Sequence, residues 1–203
     1  MSADLNNRLN QILPRITTED FLSGSGIGNE IPFYVFDYPA ENELDVRQHL
    51  KHLETAIPRQ SPNLRFEHTN LFQLLLDYIR ARGNYDKWLD MERNKGSHRA
   101  LKAIRSIATA EKLATYFAEN VLVNQPQLVL MSGVGAAYPV VRTHELLNNL
   151  HRYTDLMPLV MFYPGVYDGT TLKLFDKASL AYDSSSADRK RKVPYYRAFR
   201  LIE

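Results

Sequence analysis

The sequence predicts a single three-layer α/β domain over residues 1–203: a mostly parallel, Rossmann-like central sheet with helices on both faces, a helical insertion and an antiparallel edge. Three observations lead there. Short β-branched or aromatic runs alternate with amphipathic stretches of ten or more residues, and that alternation implies right-handed crossovers between parallel strands. The run LVLMS (128–132) is almost wholly apolar, as a strand covered on both faces must be. YDG (167–169) followed by the alternating TLKLF (171–175) reads as a hairpin with a short edge strand.

Leu5, Leu9, Ile12 and Leu13 recur at helical spacing up to Pro14, and Thr18 is placed to cap a short segment ending near Leu22. A glycine-rich turn, SGSGIGNEIP, leads to FYVFDYP (33–39), an aromatic strand bounded by Pro32 and Pro39. Leu44, Leu50, Leu53 and Ile57 mark a helix over 41–57 that Pro58 stops. NLRFEHTNL is the second strand, ending near Thr69. Asn70 is placed to cap a helix carrying Leu71, Leu74, Leu75, Tyr78 and Ile79, which Gly83 ends. NYDKWLDMER and a longer helix over 97–121, parted by Gly96, form the insertion. After the third strand, Pro139 suits the first turn of a helix running to about Tyr153. PLVMFYPG is the fourth strand. The polar stretch DSSSADRKRKVP separates the hairpin from a last strand, YYRAFRLI, expected on the antiparallel edge.

Composition narrows the function. Lys+Arg 25 against Asp+Glu 23 leaves +2, too little for a chain whose affinity comes mainly from nucleic-acid phosphates. The absence of cysteine excludes disulfides, thiolate nucleophiles and cysteine-ligated metals. The opening MSADLNNRLNQILPR lacks the order of a secretory signal, and no run reaches the ~18 apolar residues of a membrane span, so a cytoplasmic protein is expected.

In such sheets ligands sit beyond the carboxyl ends of the strands, which carry Asp37 and Tyr38, Thr69 and Asn70, Ser132 to Gly135, and Tyr163 to Gly165. The junction LMSGVGAAYPVVR (130–142) is the sharpest candidate. A glycine-bearing strand-to-helix corner presents backbone N–H groups to anions. A nucleotide loop also needs a lysine and a hydroxyl, yet AAYPVV follows Gly135, and no third glycine completes a dinucleotide fingerprint. The corner is therefore read first as a tight turn. Ser132, Gly133, Gly135, Arg142, His144 and Asn148 are its candidate anion or partner contacts, with an internal ion pair as the plainer role of Arg142.

His144 and His151 share a helix face but lie too far apart to hold one metal without a further ligand, and no metal or cofactor is expected. Ser132 has no base near it in sequence and no G-x-S-x-G around it. Tyr38, Tyr163, Tyr167 and Asp168 are candidate interface residues at the strand ends, although tyrosines packed on proline would equally close the core. Arg189, Lys190, Arg191 and Lys192 form a basic loop beside aromatics, read first as solvated and alternatively as a phosphate-backbone contact.

Taken in order, GNEIPFYVFDYP, HTNLFQLLLDYI, ATAEKLA, LVLMSGVGAAYPVVRTHELLNNLH, PLVMFYPGVYDG and YYRAFRLI resemble the sequence blocks of the BrxB family, the B component of bacterial bacteriophage-exclusion (BREX) defence systems. The resemblance spans nearly the whole chain. It implies a cytoplasmic accessory or assembly protein of a system that restricts phage and methylates host DNA. It implies partners too: PglZ, a phosphatase-like protein, first, then an AAA-type ATPase and a DNA methyltransferase. The family brings no catalytic residues to carry over. The expectation is thus a non-enzymatic scaffold that binds PglZ. The alternatives are a nucleotide- or anion-binding regulatory subunit using the Ser132–Gly135 turn, or a subunit touching DNA through Arg189–Lys192.

Overall fold

A computed structural model describes residues 2–24, 31–154, 156–169, 171–175 and 198–203. Strands β1 (Phe33–Tyr38), β2 (Phe66–Asn70), β3 (Leu128–Ser132) and β4 (Leu159–Tyr167) run parallel in the spatial order β2-β3-β4-β1. β5 (Leu172–Leu174) folds back antiparallel on the end of β4, the expected hairpin. β6 (Phe199–Arg200) lies on the outer side of β1 and is parallel to it, so among the described residues the antiparallel edge is β5 alone. Tyr195 to Arg197, predicted to begin that last strand, lie outside the described residues. In a dinucleotide-binding sheet the first strand pairs with the second. Here β1 pairs with β4 and β6, so the Rossmann-like likeness is one of layering, not of strand order.

The two faces of the sheet hold separate cores. On one, α1 (Ala3–Ile16), α2 (Glu19–Leu22) and α3 (Glu43–Gln60) set Leu5, Leu9, Ile12, Phe21, Leu50, Leu53 and Ile57 against Phe36, Leu130 and Phe162. On the other, α4 (Leu71–Ala81), α6 (Ser97–Ile107), α7 (Ala110–Asn120), α8 (Val134–Ala137) and α9 (Thr143–Thr154) cover Val35, Val129, Met131 and Met161. The alternation Leu128/Leu130 against Val129/Met131 divides β3 between the two cores, which is why both sets must be apolar. Leu53 and Ile57 are fully buried; each stabilises the fold by about 1.5–3 kcal/mol, and Leu53→Ala would cost about 2–5 kcal/mol.

Local signals explain the helix starts. Ser2 Oγ accepts from Leu5 N, Thr18 Oγ1 from Phe21 N, and Asn70 Oδ1 from Phe72 N and Gln73 N. Three helix ends differ from expectation. α1 and α3 run past Pro14 and Pro58 to Ile16 and Gln60. A proline so near the end removes one internal hydrogen bond, while buried Ile16 and Ile57 hold these last turns to the sheet. The long helix predicted over 97–121 breaks at Ala108, and Thr109 caps α7 by accepting from Lys112 N. Pro139 is not in a first helical turn. It follows α8, joined to extended Tyr138 by a cis peptide, and its carbonyl accepts from Arg105 Nε and Nη2 at 2.9 and 2.6 Å, tying α6 to the bend. α5 (Tyr85–Lys95) packs against α6 and completes the insertion.

Candidate functional site

β1 leaves the sheet towards the α3 face, whereas β3 leaves towards the α8 face and the β4–β5 hairpin leans the same way. β1 and β4 stay paired through Tyr38–Pro164, and beyond that pair the chain after β1 turns to α3 while β4 runs on into the hairpin, the kind of place where α/β sheets open a crevice. A cleft of about 370 Å³ lies there, lined by Arg8, Asp37, Tyr38, Glu41, Val166 and Phe175 among others.

Its polar centre is Asp37, buried at the end of β1. Oδ1 accepts from Arg8 Nη2 at 2.8 Å and Oδ2 accepts from Tyr167 N at 3.0 Å. Arg200 Nη2 lies 3.7 Å from Oδ2 and also donates to the Tyr167 carbonyl. The Arg8 guanidinium sits 4.9 Å above the Phe36 ring centre, a cation–π contact that fixes its plane. Tyr167 OH is 2.5 Å from the Ala198 carbonyl and 2.9 Å from that of Gly169, so the last described residues are fastened to β4. The strand-end pattern marks Asp37. Neither arginine has a local signal, because α1 and β6 come from the two ends of the chain.

A second constellation assembles from three elements. Glu54 of α3 is 2.6 Å from His68 Nδ1, and His68 Nε2 is 2.8 Å from Ser132 Oγ at the end of β3. A carboxylate only accepts, so in the neutral ring Nδ1 carries the proton and Nε2 accepts from the serine hydroxyl. The order of atoms is that of a nucleophile, base and acid. The burial is inverted. Ser132 is 5% exposed while the Glu54 side chain is 45% exposed, whereas an acyl-transfer triad buries its acid and offers its nucleophile. The chain of bonds works as a clasp between α3, β2 and β3. It also corrects the part given to Ser132: its hydroxyl is engaged on the α3 face, away from the glycine turn.

The turn itself is shaped by packing. Gly133 has φ +72°, and a Cβ there would lie 2.2 Å from Asn70 Oδ1, the atom that caps α4. A Cβ on Gly135 would lie 2.9 Å from Pro164 Cγ and 3.1 Å from the Phe175 ring. Both glycines make room for protein atoms, as a tight corner requires. Arg142 lies 3.7 Å from Glu145 Oε1, and half-exposed His144 lies 3.9 Å from the same oxygen. Asn148 is partly buried in mid-α9, one turn from Arg152, and is not among the residues lining the cleft.

The tyrosines expected at an interface are core residues. Tyr38, Tyr163 and Tyr167 are 2–3% exposed: β4 continues through Pro164, the partner of Tyr38, to Tyr167, and of that strand only Val166 faces solvent. Tyr38 donates to Glu43 Oε2 at 2.5 Å; burial, then that carboxylate, raises its pKa above the ordinary phenol value. Burial, with Tyr138 nearby, does the same to Tyr163. Asp168 alone of the four is exposed. It accepts from Thr171 N at 2.7 Å and closes the hairpin turn. Arg189, Lys190, Arg191 and Lys192 lie outside the described residues. Among the described residues no helix is long and apolar enough to cross a membrane, and no three His, Cys, Asp or Glu side chains are grouped to hold a metal.

A family model described as BREX protein BrxB matches residues 67–201. A protein of that name from Bacillus cereus (strain H3081.97) is 37% identical over 203 residues, covering 98% of each chain. Another, from Escherichia coli O9:H4 (strain HS), is 37% identical over 198 residues, covering 98% of this chain and 92% of its own. No solved structure matches the chain significantly.

Proposed function

Because the chain belongs to the BrxB family of BREX proteins, we propose that it serves a multi-component phage-defence system as a non-enzymatic accessory scaffold. It binds PglZ, and through that contact supports phage restriction and host DNA methylation. The observation that carries the scaffold reading is the carboxyl rim of the sheet. Leu44 and Phe72 in the first turns of α3 and α4, Val166 at the end of β4 and Phe175 after β5 are exposed large apolar side chains on that one rim. Beneath them the strand-end carboxylate is already engaged by two arginines and a backbone N–H, and the Ser132–His68 pair is covered. A rim with apolar side chains outward and its polar groups engaged below suits a protein contact better than turnover. No lysine and no serine or threonine follows Gly135 in AAYPVV, and the Ser132 hydroxyl is engaged by His68, so no observation favours the nucleotide alternative.

The test is capture of this protein from cells carrying the full system. PglZ should be recovered with the wild type and lost with Leu44→Glu combined with Val166→Asp, both at exposed positions. A wild-type capture without PglZ defeats the reading.

A further inference from the structure

We propose that the cleft between β1 and β4 recognises a carboxylate carried beside an apolar side chain, presented by an exposed segment of a partner protein. This rests on the partner-binding reading above and supplies its chemistry. A guanidinium has five N–H donors in a plane suited to a two-point grip on a carboxylate. Arg8 uses one of them on Asp37 Oδ1; among the described residues its side chain makes no other hydrogen bond, yet it lines the cleft. The Phe36 ring beneath it holds that plane in place, so little freedom is lost when an anion docks.

Arg8 is the one cation among the residues lining the cleft, and it stands at the wall of a half-covered space, where attraction exceeds that in open water. Asp37, held between Arg8 and Arg200, takes up part of that charge. Arg200 donates to the Tyr167 carbonyl and is not among the residues lining the cleft, so Arg8 is the donor on offer there. One fork fits a planar carboxylate better than a phosphate, which would call for donors on several sides. Exposed Glu41 stands at the same cleft and opposes it, so the site takes one carboxylate and repels an acidic run. Val166 and Phe175, both exposed, supply the apolar wall beside the charge. The volume, about 370 Å³, is within the range of ligand sites and suits a side chain or two.

The probe is N-acetyl-phenylalanine, compared with its amide, titrated at millimolar concentration into the isotope-labelled full chain. The acid should shift the backbone resonances of Tyr38, Gly165 and Val166 and saturate, with the amide at least about tenfold weaker. Arg8→Gln should lose about tenfold or more, and Glu41→Gln, at an exposed position, should gain about two- to threefold. Should Arg8→Gln unfold, Val166→Asp takes its place and should lose the acid by repulsion. Equal shifts from acid and amide, or acid binding indifferent to these variants, overturn the proposal. Inorganic phosphate acting on the same resonances as strongly as the acid overturns the carboxylate class. With purified PglZ, Arg8→Gln and Val166→Asp should each weaken binding about tenfold. Undiminished PglZ binding by both removes PglZ as the occupant. Failure of the wild type to bind PglZ counts instead against the scaffold reading, and the acid–amide comparison still decides the cleft.

Discussion

Asp37→Ala is the most informative single perturbation of the strand-end network. It removes the acceptor of the 2.8 Å bond from Arg8, the acceptor of the 3.0 Å bond from Tyr167 N, and the charge facing Arg200 at 3.7 Å. Removing one partner of a buried ion pair costs about 3–5 kcal/mol when the other charge stays fully buried. The Arg8 side chain is 16% and that of Arg200 34% exposed, so both recover some hydration and the ionic share falls to about 2–3 kcal/mol. The Tyr167 N–H, left buried without its acceptor, adds about 1 kcal/mol. The expected total is about 3–4 kcal/mol, which for a chain of this length lowers the melting temperature by roughly 6–16 °C. Urea titration should show a lower midpoint with an unchanged slope. A double-mutant cycle should find Asp37 coupled more strongly to Arg8 than to Arg200, as contact distance and exposure rank them. A loss below about 1 kcal/mol, or the reverse ranking, would refute the view that this carboxylate organises the site.

Gly133→Ala should cost about 2–3 kcal/mol in the same titration, combining left-handed strain with displacement of the Asn70 cap. Gly83→Ala, also at positive φ but with open space around it, should cost only the strain, about 1–2 kcal/mol. Ser132 should not be labelled by a fluorophosphonate probe; mass-spectrometric labelling above that of Ser132→Ala would show the clasp to be a nucleophile. Burial, more than the neighbouring His52 ring, lowers the pKa of His49, whose Nε2 is buried without a partner. With the folded value below the unfolded ~6.5, the unfolded chain takes up the proton first as pH falls. The stability due to the neutral ring is full above that value and is lost as pH drops towards the folded one. Unfolding free energy should therefore fall between pH 7.5 and 5.5 more steeply in the wild type than in His49→Gln, and parallel profiles would contradict this.

The legible parts of this chain are those where a short window holds the whole physical cause. β1, β3 and β4 are apolar on both faces and flanked by turn residues. Thr18 and Asn70 accept from backbone N–H groups two and three residues on, and the YDG hairpin is a local turn. The helix over 97–121 was less legible because the break at Ala108 depends on a threonine cap that a continuous helix would equally tolerate as a surface residue. Arg8 with Arg200 about Asp37, and Glu54 with His68 and Ser132, had no signature. Their spacing is set by which strands become neighbours, and the insertion of β4 between β3 and β1 is not a local property. The tyrosines of FYPGVY misled for a related reason, since an amphipathic ring suits a surface or a core and only the length of β4 decides.

That insertion has a consequence for how the protein is made. Among the described residues β1 has strand partners only from Leu159 onwards and from Phe199–Arg200, so on the ribosome it emerges long before these can pair with it. Its two open edges must wait under α1 and α3 while β2 and β3 are completed. A nascent chain stalled or truncated before β4 would expose those edges to neighbouring chains. Chaperone dependence and aggregation should rise sharply for any product ending before Tyr167.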